Sequence, residues 1–400
     1  MKADKILKPF ALFLCLILLP CLLLAGSFFQ EGLYKDIYRE WLKIKKPPWQ
    51  GVLSVWHVAG WDGATGSVSY WLGRRVREYE RENTGVFLEI QTLSANELKR
   101  RLSQGSFPDI LSFPTGAAHT IEACMSEMTP NTNIRSEFLQ SAMNGEGSLC
   151  AEPYAFSGYI LAANDDMLYE RQLQPPPQEG WSPEELKEAV TKAEPAKNRK
   201  KAPSIGLCAS NEECIAFASL ASYWAKKEVS NAVEMLQSGK AAAGNPVDEF
   251  ARKNTVTAIL SLGELRKLRG IQSQGKAPYC SVCPVSSFTD MVQYIGFKKG
   301  EPPEKSAICQ AFADFLLADK AQESLKDIGA FPVSQKYSNL YETDELLTSI
   351  EQAYQKDVLV PNAFDYVDRR IEIKGLIDKT LSGSDKTADI LHSVESACKR

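Results

Sequence analysis

Histidine is scarce in this 400-residue chain: His57, His119 and His392 are the whole supply. Without paired histidines, and with no second Cys-x-x-Cys beside Cys280-Ser-Val-Cys283, a zinc site is not supported by the ligand spacing. A positive excess is also missing. Lys and Arg number 46 against 50 Asp and Glu, a net charge of −4, and this balance argues against a nucleic-acid partner. The one dense basic run, Lys197 to Lys201, lies between Pro195 and Pro203 and reads as a solvated loop. No internal repeat is detectable.

What is present suits an ordinary globular protein with ample core: 44% hydrophobic and 24% charged residues, over a length that allows two or three domains. Ala11 to Phe29 is an uncharged run preceded by Lys2, Lys5 and Lys8, long enough to span a bilayer and also like a signal sequence. Either reading exports the rest of the chain. Proline directly before Cys21 departs from the lipoprotein pattern. Residues 30 to 50, with Tyr34, Ile37, Tyr38, Trp41 and Leu42 at helical spacing and then Pro47-Pro48, read as a juxtamembrane helix ending in a stiff spacer.

Eight cysteines lie outside the hydrophobic run, and an even count in an exported chain permits disulfides. The local candidates are Cys208 with Cys214 and Cys280 with Cys283. The second pair also has the spacing of a redox dithiol, although such a motif belongs at a strand-to-helix turn.

From Gly51 the chain alternates strand and helix. Val52 to Val58, Val86 to Leu93 and Asp109 to Phe113 read as strands, with Val68 to Glu82 and Asn96 to Ser103 as helices. Such alternation predicts a largely parallel sheet flanked by helices, with ligands beyond the carboxyl ends of the strands, at the loops His57 to Gly66 and Pro114 to His119. Farther on, Leu149 to Leu168 is a long β-type run, Ser182-Pro183-Glu184-Glu185 starts a helix, and Ser204 to Cys208 is a strand. Asn211 to Lys227 and Val247 to Arg269 are expected to be helices, and Phe288 to Lys298 a strand.

Glu304 to Gln335 carries the fullest punctuation. Ile308, Ala311, Phe312, Phe315 and Leu316 form one apolar stripe. Asp319 and Gln322 are placed as a capping box, Gly329 as a left-handed stop and Pro332 as a terminator. The segment FADFLLADKAQESLKDIGAFPVSQ resembles the late helix pair of the extracellular solute-binding proteins of ABC importers, the sugar-type group that includes maltose-binding protein. Gly105-Ser-Phe-Pro108-Asp109-Ile110, the Asn164-x-Asp166-x-Leu168 turn and Trp181 follow the same family's order.

The resemblance covers residues 51 to 400 and implies an α/β fold of two periplasmic-binding-protein-like lobes, each a mostly parallel sheet flanked by helices and joined by hinge crossings. Residues 1–29 are then a signal sequence or membrane anchor and 30–50 a spacer. Lobe 1 comprises 51–160 with 288–335, and lobe 2 comprises 161–287 with 336–400. The implied function is an extracytoplasmic receptor, not an enzyme and without a cofactor. It captures a solute, a sugar or sugar acid, by hinge closure and delivers it to ABC permease subunits, the N-terminal segment meeting the membrane. A membrane-anchored sensor on the same fold is the alternative, and a glycoside-active enzyme a further one. Ser273-x-x-Lys276 and Ser396-x-x-Lys399 have the short Ser-Lys spacing, but neither stands at a strand-to-helix turn.

Sugar binding needs flat apolar faces and fixed polar groups. Matching the family's positions, Trp61 is expected to stack and Asp62 to accept from hydroxyls. Phe113 and Thr115 follow the third strand, Glu152 and Tyr154 flank Pro153 at the hinge, and Asn211 and Glu212 follow a second-lobe strand. Core packing competes for Trp61 and Phe113, a turn for Asp62, and a helix cap for Asn211 and Glu212. After Pro361-Asn362, where relatives place a tryptophan, this chain has Tyr366 and then Arg370. An arginine here favours an acidic sugar through bidentate pairing, although a solvated helix face explains it equally.

Overall fold

The computed structural model describes residues 49–117, 121–178, 180–192, 205–212, 214, 233–285, 288–337, 339–356 and 358–398. The hydrophobic run, the juxtamembrane stretch, His119, the basic run and most of the helix expected at 211–227 lie outside them. Among the described residues no helix is long and apolar enough to cross a membrane.

Two five-stranded sheets organise the chain. The first contains β1 (Gly51–Val58), β2 (Val86–Leu93), β3 (Ile110–Pro114), β4 (Glu152–Phe156) and β10 (Val292–Phe297), in the order β2-β1-β3-β10-β4. The second contains β5 (Tyr159–Asn164), β6 (Ile205–Ala209), β7 (Ala241–Ala243), β8 (Thr255–Ser261) and β9 (Cys280–Pro284), in the order β7-β6-β8-β5-β9. In each, three strands run parallel. The strands nearest the crossings, β10 in one and β5 in the other, pair antiparallel to their neighbours. The parallel part follows from right-handed strand–helix–strand crossovers, and the antiparallel strands are those that arrive from the other sheet.

The long run at 149–168 is divided. β4 ends at Phe156, Ser157 and Gly158 pass between sheets, and β5 begins at Tyr159. A Cβ at Gly158 would stand 2.4 Å from the Tyr354 hydroxyl, so the turn needs glycine for close approach. The crossings are bonded to each other. Ser157 N donates to the Met291 carbonyl (2.9 Å), Thr289 Oγ1 to the Ser157 carbonyl (2.6 Å), and Thr289 N to the Leu359 carbonyl (2.9 Å). Three strands of chain therefore meet at one seam.

One expected helix is wrong. Val247 to Arg269 is a helix at Pro246–Ala251, then β8, then a helix at Leu262–Gln272. Thr255, Val256, Thr257 and Ile259 are β-branched and buried in the middle of the second sheet, where pleated packing outweighs helical spacing. Lys253, at φ 60°, makes the turn into it. Ser261 then caps the following helix in a capping box with Glu264.

The helix Pro303–Leu317 forms as expected, burying Ile308, Phe312 and Leu316. The capping box placed at Asp319 and Gln322 does not form. Asp319 pairs with Lys336, while Gln322 is fully buried. Its amide nitrogen donates to the carbonyls of Tyr154 (2.9 Å) and Leu316 (2.8 Å), and its oxygen accepts from Val333 N (3.2 Å). A buried amide satisfied by three backbone partners is worth more than a solvated cap, so it turns inward. Gly329 is left-handed at φ 64°, as expected.

The seven cysteines described with side chains are free thiols. Cys280 and Cys283 lie three residues apart on β9, an odd spacing that sends their side chains to opposite faces. Burial pushes the Cys283 thiol up to about 12 and also raises that of Cys280, opposite to what a redox dithiol requires.

Candidate functional site

The loops after β1 and β3 face the second sheet across a cleft of about 540 Å³. The first unit supplies Ala59 to Asp62, Pro114 and Thr115. The second supplies Ser210, Ser261, Glu264 and Lys267. Tyr159, Asp290 and Met291 come from the crossings, and Tyr366 and Arg370 from the helix Tyr366–Leu381.

The loop carrying Trp61 and Asp62 is braced from behind by the turn that ends the late helix pair. Ala64 N donates to the Gly329 carbonyl (3.1 Å), and Thr65 N and Gly66 N to the Ile328 carbonyl (3.2 and 3.1 Å). A Cβ on Gly63 would stand 2.0 Å from the Ile328 carbonyl oxygen. The scaffold segment therefore sets the height of a cleft loop without lining the cleft.

Trp61 lines the cleft but is only 9% exposed, and its indole Nε1 is buried with no partner. Asp62 reaches across: its Oδ2 accepts from Arg266 at 2.8 Å, an ion pair joining the two units. Beside it Gly263 lies so close that a Cβ there would stand 3.0 Å from the Asp62 Cβ. The units are thus in contact at the rim. Thr115 lines the floor and donates to the Val292 carbonyl at 3.5 Å.

Beneath the floor lies a buried polar network. His57 Nδ1 and Nε2 are each 2.9 Å from a hydroxyl, those of Ser112 and Ser69, and Ser112 Oγ is 2.9 Å from Tyr154 OH. Gln293 Nε2 donates to Ser112 Oγ and to the Val58 carbonyl, both at 3.0 Å. Burial lowers the His57 pKa to about 4, so the ring is neutral at pH 7, donating through one nitrogen and accepting through the other. These bonds tie β1, β3, β4 and β10 together under the strand ends. They position the cleft loops.

Of the residues expected at the site, Trp61, Asp62, Thr115, Tyr366 and Arg370 come together in the cleft lining. Phe113, Glu152 and Tyr154 do not. Phe113 is fully buried, stacked on Tyr294 with centroids 5.6 Å apart. Tyr154 is fully buried and stacked on Trp71 at 5.7 Å. Glu152 is likewise fully buried on the edge strand β4. All five residues of β3 and all five of β4 are buried, so side chains on both faces of these strands enter the core instead of the cleft. Asn211 and Glu212 also fall outside the lining. Asn211 Oδ1 accepts from Cys214 N (2.5 Å), a helix-start bond, and Glu212 pairs with Lys374 (3.4 Å).

Sequence reasoning missed Tyr159 and Asp290, which face the cleft from the two crossings. Asp290 accepts from both Tyr159 OH (2.8 Å) and Tyr366 OH (2.6 Å). Their signal was available only as polar residues interrupting the two hinge runs. Among the described residues no group of His, Cys, Asp and Glu is placed to hold a metal ion.

No protein-family model and no curated protein sequence matches the chain. Solved structures match over most of its length. An ABC substrate-binding protein from Listeria monocytogenes in complex with cycloalternan superposes with a TM-score of 0.61 at 13% identity, over 87% of this chain and 98% of that one. The sugar-binding protein of Xanthomonas citri gives 0.62 at 12%, over 87% and 97%. The cyclic alpha-maltosyl-1,6-maltose binding protein of Arthrobacter globiformis gives 0.60 at 16%, over 88% and 98%. The chain has the two-lobed periplasmic-binding-protein fold of these sugar-binding proteins.

Proposed function

We propose that this protein is an extracytoplasmic solute-binding receptor of an ABC importer, closing two lobes on a carbohydrate and presenting it to a membrane permease. The observation that carries the reading is the cleft, whose lining comes from both units, from both bonded crossings and from the helix that begins at Tyr366. Hinge closure on a ligand needs contacts from both sides, because a ligand favouring neither state shifts nothing. That the fold's similar solved structures are sugar-binding proteins supports the same class of solute. In this reading residues 1–29 export or anchor the chain, 30–50 are a spacer, and the lobes are 51–160 with 288–335 and 161–287 with 336–400.

A binding role rather than catalysis fits the side chains. Ser273 Oγ donates to the Gly270 carbonyl (2.8 Å) and Lys276 Nζ to Gln274 (3.0 Å), so this Ser-Lys pair is not a nucleophile and its base. The test is a thermal-shift screen of the full chain in detergent with maltotriose and other oligosaccharides, followed by X-ray scattering. A ligand at one hundred times its dissociation constant stabilises by about 2.7 kcal/mol. Absence of both a shift and compaction with every neutral, amino and acidic oligosaccharide overturns the receptor reading.

A further inference from the structure

We propose that a second pocket, behind the hinge, is an effector site for a small arylalkylamine whose binding favours closure of the cleft. The site goes beyond the receptor reading, and only its coupling to a captured solute rests on that reading.

The pocket encloses about 430 Å³, and among the described residues none lines both it and the cleft. One wall belongs to the first sheet. It is made by Phe156 at the end of β4 and by Phe331, the two exchanging backbone hydrogen bonds of 3.0 and 2.8 Å. The facing wall is Glu351, Tyr354 and Gln355 on the helix Glu345–Lys356, which packs against β9 of the second sheet. Tyr354 stands between pocket and cleft. Its hydroxyl bonds both crossings, and its ring lies against Phe156 and Phe331 with centroids 5.4 and 6.1 Å away. Phe156 meets the pocket while Tyr159, just beyond it in the chain, meets the cleft, so the crossing passes between the two spaces. Rotation about such a seam that opens the cleft closes the space behind it. Here Asp62 and Arg266 touch at the cleft rim and the pocket stands open. A molecule filling it therefore holds the closed arrangement.

The lining chooses the chemistry. Phe156, Phe331 and Tyr354 give an aromatic floor, and two carboxylates stand over it. Glu351 is buried and accepts from Leu340 N through both oxygens (3.0 and 2.9 Å), with no cation paired to it among the described residues. Burial raises its pKa, a cost that a bound cation offsets. Glu137 is the second carboxylate, its side chain 41% exposed. Arg135 also lines the pocket, but its guanidinium is already engaged. It donates to the Tyr354 carbonyl (2.8 Å), meets Glu137 at 3.5 Å and lies over the Phe138 ring, 5.6 Å from its centroid. Two carboxylates thus face one occupied cation. An aryl group on the rings with an ammonium at the carboxylates satisfies both halves of the lining, whereas an anionic arm would meet Glu137 and Glu351.

Titration calorimetry of the full chain in detergent, with tryptamine and with indole-3-propionate as its anionic counterpart, tests the site. Tryptamine is expected to bind at least about tenfold more tightly than the anion, the worth of one charge-assisted contact. Glu351→Gln, which keeps an acceptor for Leu340 N, is expected to weaken tryptamine by about the same factor. Glu137→Gln, on the exposed side of the pocket, is expected to weaken it severalfold and carries the test if the first variant does not fold. Spin labels on the two units of the Arg266→Ala variant, in which the rim pair is released, are expected to move together when tryptamine alone is added. Tryptamine is also expected to raise the affinity for any oligosaccharide that binds, by about fivefold or more. No binding of tryptamine, equal binding of the anion, or affinity unchanged in the variants overturns the site. Binding that leaves the label distances unchanged overturns the effector role. Tryptamine binding and closure without binding of any oligosaccharide uphold the site and defeat the receptor reading alone.

Discussion

Replacing Glu152 with Gln is expected to stabilise the protein at pH 8 and to change it far less near pH 4.5. Glu152 is fully buried on β4, where Oε1 accepts from Asn131 N at 3.0 Å and Oε2 has no partner. Burial, and then the nearby Asp314 charge, raise its pKa from the ordinary 4.5 to about 7, against the bond donated by Asn131. The folded state therefore keeps this proton up to about pH 7, while the unfolded chain releases it near 4.5. Between those values the folded state binds more protons, so stability falls as pH rises and the loss is complete above pH 7. At 1.36 kcal/mol per pH interval the full loss is roughly 3 kcal/mol. His57 acts in the opposite sense. Its folded pKa is about 4 against an ordinary 6.5, so the unfolded state binds the extra proton and stability falls as pH drops from 6.5 to 4. That contribution is common to wild type and variant and cancels in their difference. Guanidinium unfolding of both proteins at pH 4.5, 6, 7 and 8 is the assay. The variant-minus-wild-type difference should grow by roughly 3 kcal/mol across the series. A difference independent of pH would refute the placement of an ionisable, buried Glu152. A constant offset from the new amide does not affect the slope.

The Asp62–Arg266 pair joins the units at 2.8 Å with both side chains more than one-third exposed, so its worth is about 0.5–1 kcal/mol. Arg266→Ala should shift the distance distribution between spin labels on the two units toward the open form, as should high salt on the wild type. An unchanged distribution denies the pair any part in closure. Tyr354 OH accepts from Tyr159 N (3.3 Å) and is 3.2 Å from the Phe288 carbonyl, pinning both crossings. Tyr354→Phe should cost about 1–2 kcal/mol and speed hydrogen exchange at the Tyr159 amide, and equal exchange in the two proteins counts against the pin.

Much of the local structure was legible because it is written in short-range chemistry. The helix Val68–Glu82 and the strand Val86–Leu93 match their periodicity residue for residue, and the Ser182–Glu185 capping box and left-handed Gly329 follow from caps and φ alone. The parallel sheet and the loops at its strand ends were equally readable, and those loops do line the cleft. Reading failed where a residue has two uses. Gln322 suits a cap or a buried bridge, and the residues from Thr255 to Ser261 suit a helix face or a central strand. For Gln322 the surrounding structure chose the alternative that satisfies a buried amide, and for Thr255 to Ser261 the one that packs β-branched side chains in the middle of a sheet.

By itself, then, the sequence determined the alternation of elements, the turn residues and the resemblance to a two-lobed fold, because each depends on neighbours a few positions apart. Tertiary structure alone decided which aromatics face the cleft and which face the core. Phe113 and Tyr154 went inward because β3 and β4 are buried on both faces, while Asp290, distant in sequence from Tyr159 and Tyr366, met both only where the crossings pass the second unit. A cleft is a property of two surfaces brought together, and no single stretch of chain contains it.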